Sequence, residues 1–296
     1  MPTTYLVCEG PSDAAVLTRV LVGGTISVPG LVVKAAHGSG LVRQVATYLS
    51  RETKDTVASV QDRDFRTLDE VERSWAPDSR RFIWRRHMVE NYLLEPPLIA
   101  SALERIRRSP RTKWPNDLGD DTATAEVLLA EAARVEAPRH AGWMCIHEIR
   151  RELEPYGRRV FETPTGWVEP ETANGWTDYI VSELQQSAAV WGSRVGKAGA
   201  IGQDCVGTMY KAALQAVTAA DYVASRGCLT DFRGHRLLSE LSRLLSARGV
   251  SPPVSRETLR VYLLESLASL YQPGFFDPDD FLELARRLGY HAGDAS

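Results

Sequence analysis

Short apolar runs alternate with amphipathic stretches over the first hundred residues. Tyr5 to Cys8 is an apolar run broken by Glu9-Gly10-Pro11-Ser12-Asp13, after which Ala14, Val16, Leu17, Val20 and Leu21 recur at helical spacing. The pattern predicts strand, turn, helix. It returns with Leu31-Val32-Val33 as a second strand and His37-Gly38-Ser39-Gly40 as a turn. A helix over Leu41 to Arg51 follows, expected to turn Leu41, Val45, Tyr48 and Leu49 inward. Thr56 to Val60 reads as a third strand ending in Gln61-Asp62-Arg63-Asp64, and Phe82-Ile83-Trp84 as a fourth beyond the polar stretch Thr67 to Ser79. Strands alternating with helices imply an α/β fold, a mostly parallel, Rossmann-like sheet with flanking helices.

Past about Pro96 the strand signal fades. Apolar stripes at helical period run over Ala123 to Val135, Thr208 to Ser225, Leu237 to Leu245 and Leu259 to Leu270. Asp277-Pro278-Asp279-Asp280 is an acidic helix start, with Pro in the first turn of a last helix over Phe281 to Leu288. Phe161 to Thr177, with two Pro and two Gly, reads as a loop that separates helical layers. We therefore expect an α/β domain over residues 1–110 and a helical domain over 111–296 that shapes a substrate groove, a dimer surface or a docking face.

Composition narrows the class. In 296 residues, 44% are hydrophobic and 25% charged, enough for a globular core and against a disordered chain. Thirty-five Lys and Arg against 38 Asp and Glu exclude a protein that holds nucleic acid by bulk positive charge, though not one with a local basic face. Four scattered cysteines without a CxxC pair speak against a disulfide scaffold or zinc cluster. The N-terminus carries no basic segment leading into an apolar core, and no run is long enough to span a bilayer, so a cytoplasmic protein is expected.

Ligand sites of parallel sheets lie beyond the carboxyl ends of the strands. Glu9 follows the first strand there, and Asp62 and Asp64 follow the third. On extended backbone the period-two spacing of Asp62 and Asp64 would send both side chains to one side, where they can share a hard cation. Carboxylates without His or Cys suit Mg²⁺ or Mn²⁺ and not zinc. Clustered acids repel one another and titrate abnormally unless a metal joins them. For any one residue alone the plainer reading holds: Glu9 and Asp13 begin a helix, and Asp62 and Asp64 form a turn. Their placement at successive strand ends favours the metal.

Glu9-Gly10-Pro11-Ser12-Asp13 after an apolar strand, followed some fifty residues later by Asp62-Arg63-Asp64 after another, resembles the TOPRIM domain of topoisomerases, bacterial primases and OLD-family nucleases. Arg86-His87-Met88-Val89-Glu90-Asn91-Tyr92-Leu93-Leu94 is similar to the Glu-Asn-Tyr-Leu segment of OLD-type nucleases and of the stand-alone TOPRIM effectors of phage defence, as in PARIS systems. Arg233-Gly234-His235-Arg236-Leu237-Leu238 is similar to a Gly-His/Lys-x-Leu-Leu segment of those effectors. The resemblance covers residues 1–110 and, beyond them, that one segment.

The resemblance implies Glu9 as an acidic catalytic or metal-binding residue with Asp13 beside it, Asp62 and Asp64 as metal ligands, and Glu90 as an acidic neighbour. The Lys that OLD-type nucleases place beyond the acidic motifs has no clear counterpart; His235 or Arg236 stand nearest to it, with Lys197 behind them. The expected activity is metal-dependent cleavage of phosphodiester bonds in DNA or tRNA, as a toxic antiphage effector controlled by a partner ATPase, with a homodimer possible. A non-catalytic TOPRIM scaffold that docks on an ATPase and a primase-like nucleotidyl transferase are the rivals. Strand passage would need gate domains for which the chain is too short, and primases carry a zinc-binding domain absent here.

Arg80 to Lys113 holds nine basic residues against three acidic ones, so Arg85 and Arg86, together with Arg63 and Arg236, are candidate phosphate contacts. The plainer reading makes this a solvated face, places Trp84 in the core, and makes Glu90 a partner of Arg85 or Arg86. His37-Gly38-Ser39-Gly40 lacks the third glycine of a dinucleotide fingerprint. Gly192 to Ala198 is one residue short of a P-loop, so ATP binding is not expected in this chain. Cys145 with His147 supplies only two ligands, and Met209 and Tyr210 are expected in core.

Overall fold

The computed structural model describes residues 3–156, 168–170, 172–196 and 203–290. Four strands, β1 (Thr4–Cys8), β2 (Leu31–Ala35), β3 (Thr56–Gln61) and β4 (Arg81–Ile83), form one sheet in the order β2-β1-β3-β4. Every pairing is parallel; Thr4 lies opposite both Leu31 and Thr56, and Val60 opposite Phe82. Leu6, Val7 and Cys8 are fully buried, as expected of a central parallel strand covered on both faces. Because the pairings are parallel, the chain leaves β1 and β3 at the same edge of the sheet, which brings Glu9 and Asp62 together.

Helix α1 (Pro11–Leu21) starts as its sequence directs: Gly10 is an extended N-cap, Pro11 stands in the first turn, and the Asp13 carboxylate accepts the Gly10 N–H at 3.0 Å. Helix α2 (Ser39–Glu52) corrects the expected inward face. Leu41 is 43% exposed and Tyr48 63% exposed, while Val42 is buried and Val45, Ala46 and Leu49 pack with it against Val7. The true apolar stripe lies one position on from Leu41. The polar stretch after β3 contains a further helix, α3 (Leu68–Ser74), capped reciprocally by Thr67 and Glu70. Helix α4 (Glu90–Leu93) is a single turn. Helix α5 (Pro96–Arg108) buries Leu98, Ile99, Leu103 and Ile106.

The chain forms two compact units, residues 1–129 with 229–296, and residues 130–228. Helices Gly234–Ala247, Arg256–Leu270 and Asp280–Arg287 thus belong with the sheet, and Arg256–Leu270 packs along α5. Asp279 caps the last helix by accepting the Leu282 N–H, so Pro278 precedes the helix and is not in its first turn. Trp84 lies in the core, as expected, within 5.4 Å of the Tyr92 ring centre and 5.3 Å of Phe281. In the second unit, Ile146, Ile149, Trp176, Ile180, Leu184 and Val206 form a core, joined by Cys145 and Tyr210. Gly142 makes room for that Trp176, since a Cβ there would stand 2.1 Å from the indole ring. The stripe from Thr208 to Ser225 is not one helix: Gln203–Thr218 ends, Ala219 is extended, and a short helix Ala220–Ala224 follows. Of the expected loop over Phe161 to Thr177, residues 161–167 and 171 lie outside the described residues, as do part of the P-loop-like segment and Lys197. The end of that stretch is not loop but the start of a helix, Ala173–Tyr179, capped by Thr172.

Candidate functional site: a carboxylate cleft at the sheet edge

A cavity of about 520 Å³ opens at the carboxyl edge of the sheet, within the first unit. Its acidic lining comes from four segments: Glu9 and Asp13 around the start of α1, Asp62 after β3, Glu90 at the start of α4, and Glu257 in the Arg256–Leu270 helix. His37, His235, Arg256 and Arg260 complete its polar wall. Glu9 is fixed by the sheet itself, because its Oε1 accepts the Asp62 backbone N–H at 3.0 Å. The two acids that sequence places fifty residues apart are therefore neighbours.

Burial acts on Glu9, Asp13, Asp62 and Glu90, and repulsion by neighbouring acids adds to it at Glu9, Asp62 and Glu90. Burial pushes Glu9 up to about 7; the Asp62 N–H opposes the shift, while Asp64 and Asp13 add to it. Asp62 is held well above the usual carboxylate range by burial first, then by Asp13, Glu9, Glu90 and Asp64. Asp13 and Glu90 are raised by burial as well; Asp13 also raises Glu90, and Arg260 pulls both back. Asp62 Oδ1 is buried and accepts no hydrogen bond. A desolvated carboxylate oxygen without a donor is costly, and either a proton or a cation at this atom would relieve it. Among the described residues, however, no three His, Cys, Asp or Glu side chains converge closely enough to hold an ion as they stand.

Asp64 departs from the sequence expectation. β3 ends at Gln61, and Asp64 takes a left-handed backbone conformation with φ 50°, so strand alternation does not set the direction of its side chain. The side chain is 54% exposed and does not line the cavity; its Oδ1 lies 4.0 Å from His87 Nε2. Burial raises it, and Arg66 and Arg233 oppose that.

The two family-like motifs meet in space. Asn91 Nδ2 donates to the Phe232 carbonyl at 2.8 Å, and Asn91 Oδ1 accepts the Met88 N–H at 3.3 Å. Gly234 packs directly on this turn: a Cβ there would lie 2.7 Å from Asn91 Oδ1 and 2.9 Å from Glu90 Cβ. His235, the next residue, thereby reaches the cavity wall. Arg236 does not line it.

Arg85 and Arg86, expected at phosphates, are matched inside the fold. Arg85 bonds Asp280, Glu283 and Glu72 and stacks over Trp75, while Arg86 bonds Glu95 and the Asn91 carbonyl and lies over Tyr92. Arg63 pairs with Asp231 at 3.3 Å and donates to the Arg85 carbonyl. Glu90 is thus not the ion-pair partner of Arg85 or Arg86; its hydroxyl neighbour is Ser12. Tyr210 belongs to the second unit's core and Met209 packs against it, as expected, and Cys145 is buried in the same core.

Ser12, Arg256, Glu257 and Arg260 line the cleft and were not singled out from sequence. Arg256, Glu257 and Arg260 stand in the first turns of a long amphipathic helix, where alternating charges look like an ordinary solvated face. Compared with known proteins, the chain matches no family model and no curated sequence.

Proposed function

We propose that the protein cleaves phosphodiester bonds in nucleic acid by hydrolysis supported by a divalent cation, Mg²⁺ or Mn²⁺. The observation that carries this reading is the gathering of Glu9, Asp13, Asp62 and Glu90 around one cavity, with Asp62 Oδ1 buried and unbonded. An all-carboxylate donor set is the chemistry of hard divalent ions. Glu9 and Asp62 would hold the ion, with Asp64 as the third ligand that the TOPRIM resemblance implies. When bound, it supplies a Lewis acid against the negative charge that gathers on a phosphoryl group attacked by water.

The chain's own groups supply the rest. With Glu9 Oε1 engaged by the Asp62 N–H, Oε2 is the atom left for the cation, and the attacking water gives up its proton to bulk solvent. His235 can deliver one to the departing oxygen from its imidazole. The cellular role that accompanies this chemistry is a TOPRIM-type antiphage effector, acting on DNA or tRNA and restrained by a partner ATPase. That part rests on the motifs around Glu9, Asp62, Glu90 and His235. The test is to express wild type and Glu9→Ala in cells and sequence the termini of total DNA and RNA. New termini should appear with wild type alone; their absence contradicts cleavage.

A second reading, a non-catalytic scaffold that docks on an ATPase, is favoured by one observation: the acids do not converge to coordination distance as they stand. It predicts no saturable binding of Mn²⁺.

A further inference from the structure

Arg260 stands in the second turn of the Arg256–Leu270 helix and lines the carboxylate cleft. Its Nε and Nη1 are buried and make no hydrogen bond. Glu257 forms an ion pair with Nε through Oε2 at 3.3 Å, while its Oε1 is committed to Arg256 at 3.1 and 2.8 Å, so Nη1 is the buried end of the fork that no acceptor in the fold meets. A guanidinium presents five N–H groups in a planar fork that matches two oxygens of a phosphate or carboxylate. To desolvate part of that fork and leave it without an acceptor costs stability, and a fold keeps such a group where a ligand completes it.

Asp13 and Glu90 do not complete it. Both feel its positive charge, yet neither hydrogen-bonds its buried Nε or Nη1. Arg85, Arg86 and Arg63, in contrast, have their acceptors inside the fold. Arg256 lies one helical turn earlier and also lines the cavity, which gives the same wall a second positive group.

We propose that Arg260, assisted by Arg256, binds a phosphate of the nucleic-acid strand in the cleft and so positions that strand against the carboxylates. This rests on the nucleolytic reading above. The role differs from that of the acids, because Arg260 neutralises substrate charge and contributes nothing to the binding of the cation. Removing it should weaken nucleic acid and leave the metal alone.

The test compares wild type, Arg260→Met and Arg260→Lys. Binding to two fluorescent hairpins, one DNA and one RNA, is measured over a range of salt, and Mn²⁺ binding and cleavage of the same hairpins are measured in parallel. Arg260→Met should weaken the hairpin that wild type binds by about tenfold or more and lower its salt slope by about one. Its Mn²⁺ affinity should stay equal or rise, because a nearby positive charge is gone. Arg260→Lys should recover part of the affinity through charge, but not all, because the fork is lost. An Arg260→Met protein with wild-type hairpin affinity and salt slope overturns the inference and leaves the nucleolytic reading intact. A wild type that neither binds nor cuts either hairpin overturns that reading, and the inference with it.

Discussion

Glu9 and Asp62 favour their protonated forms in the folded chain, and this opposes the state needed to hold a cation. For Glu9 the sign is definite. Its folded value is raised from an ordinary 4.5 to about 7, so the native state binds the extra proton between those two values. Stability from this group is fully present below about pH 4.5 and is lost as pH rises through about 7. The chelator-treated protein should therefore melt at a lower temperature at pH 8 than at pH 5.5, and Mn²⁺ should raise the melting temperature more at pH 8. Equal shifts at both pH values would mean that the ion does not join these acids. Asp62→Asn removes one charge from the cluster and should raise the metal-free melting temperature at pH 8 by roughly 2 °C or more while abolishing cleavage.

At the level of elements, the Glu90-Asn91 turn and the Gly234-His235 helix start are a single device, so a small change at one should be felt at the other. Gly234→Ala should cost roughly 1–3 kcal/mol by overpacking against Asn91 and Glu90, and should lower cleavage further by displacing Glu90 and His235. Gly40→Ala, where a Cβ meets nothing within 4 Å, should instead be neutral or stabilising by up to about 1 kcal/mol. Chemical denaturation of the pair checks both. Asp280 anchors the last helix to the sheet edge by accepting from Arg85 and Tyr92. Asp280→Ala leaves the buried Tyr92 hydroxyl and the Arg85 backbone N–H without their acceptor, while Glu72 and Glu283 still pair the Arg85 guanidinium, and should cost about 1–3 kcal/mol.

The same elements show what the amino-acid order discloses. The strands of the sheet were legible because each is a short apolar run ended by Gly, Asp or Pro, and parallel pairing then forces Glu9 and Asp62 to one edge. Thr67-x-x-Glu70 marked α3 as well, but a seven-residue helix with five polar positions and one buried residue, Val71, carries too little periodicity to stand out. Leu41 and Tyr48 misled because they are i and i+7 on an exposed stripe beside the true one. Asp64 misled because alternation applies only while the backbone is extended, and its backbone turns left-handed. Arg85 could not be resolved from sequence, since its partners Asp280 and Glu283 are nearly two hundred residues away, whereas Arg86 pairs with the nearby Glu95, one of the three acids of its own segment.

Across the whole molecule, the cleft is built by a chain that leaves its first compact unit at residue 129 and returns at 229. Nothing in composition marks that return, and it brings His235, Arg256 and Arg260 to the acids. A chain truncated after residue 110 should lose the wall built by His235, Leu238, Arg256, Glu257 and Arg260 and expose Trp84 and Tyr92, which pack on Phe276 and Phe281. It should be recovered as aggregate, or as a species without cooperative unfolding. Among the described residues, no helix is long and apolar enough to cross a membrane.

The central claim is that acids from separate strand ends trap one divalent ion, and calorimetric titration of Mn²⁺ into chelator-treated protein at pH 7.5 tests it most directly. The account predicts a saturable heat for wild type, with affinity reduced at least tenfold in Asp62→Asn and in Glu9→Gln while circular dichroism shows both variants folded. An absence of saturable heat in wild type, or an isotherm unchanged by both substitutions, contradicts it.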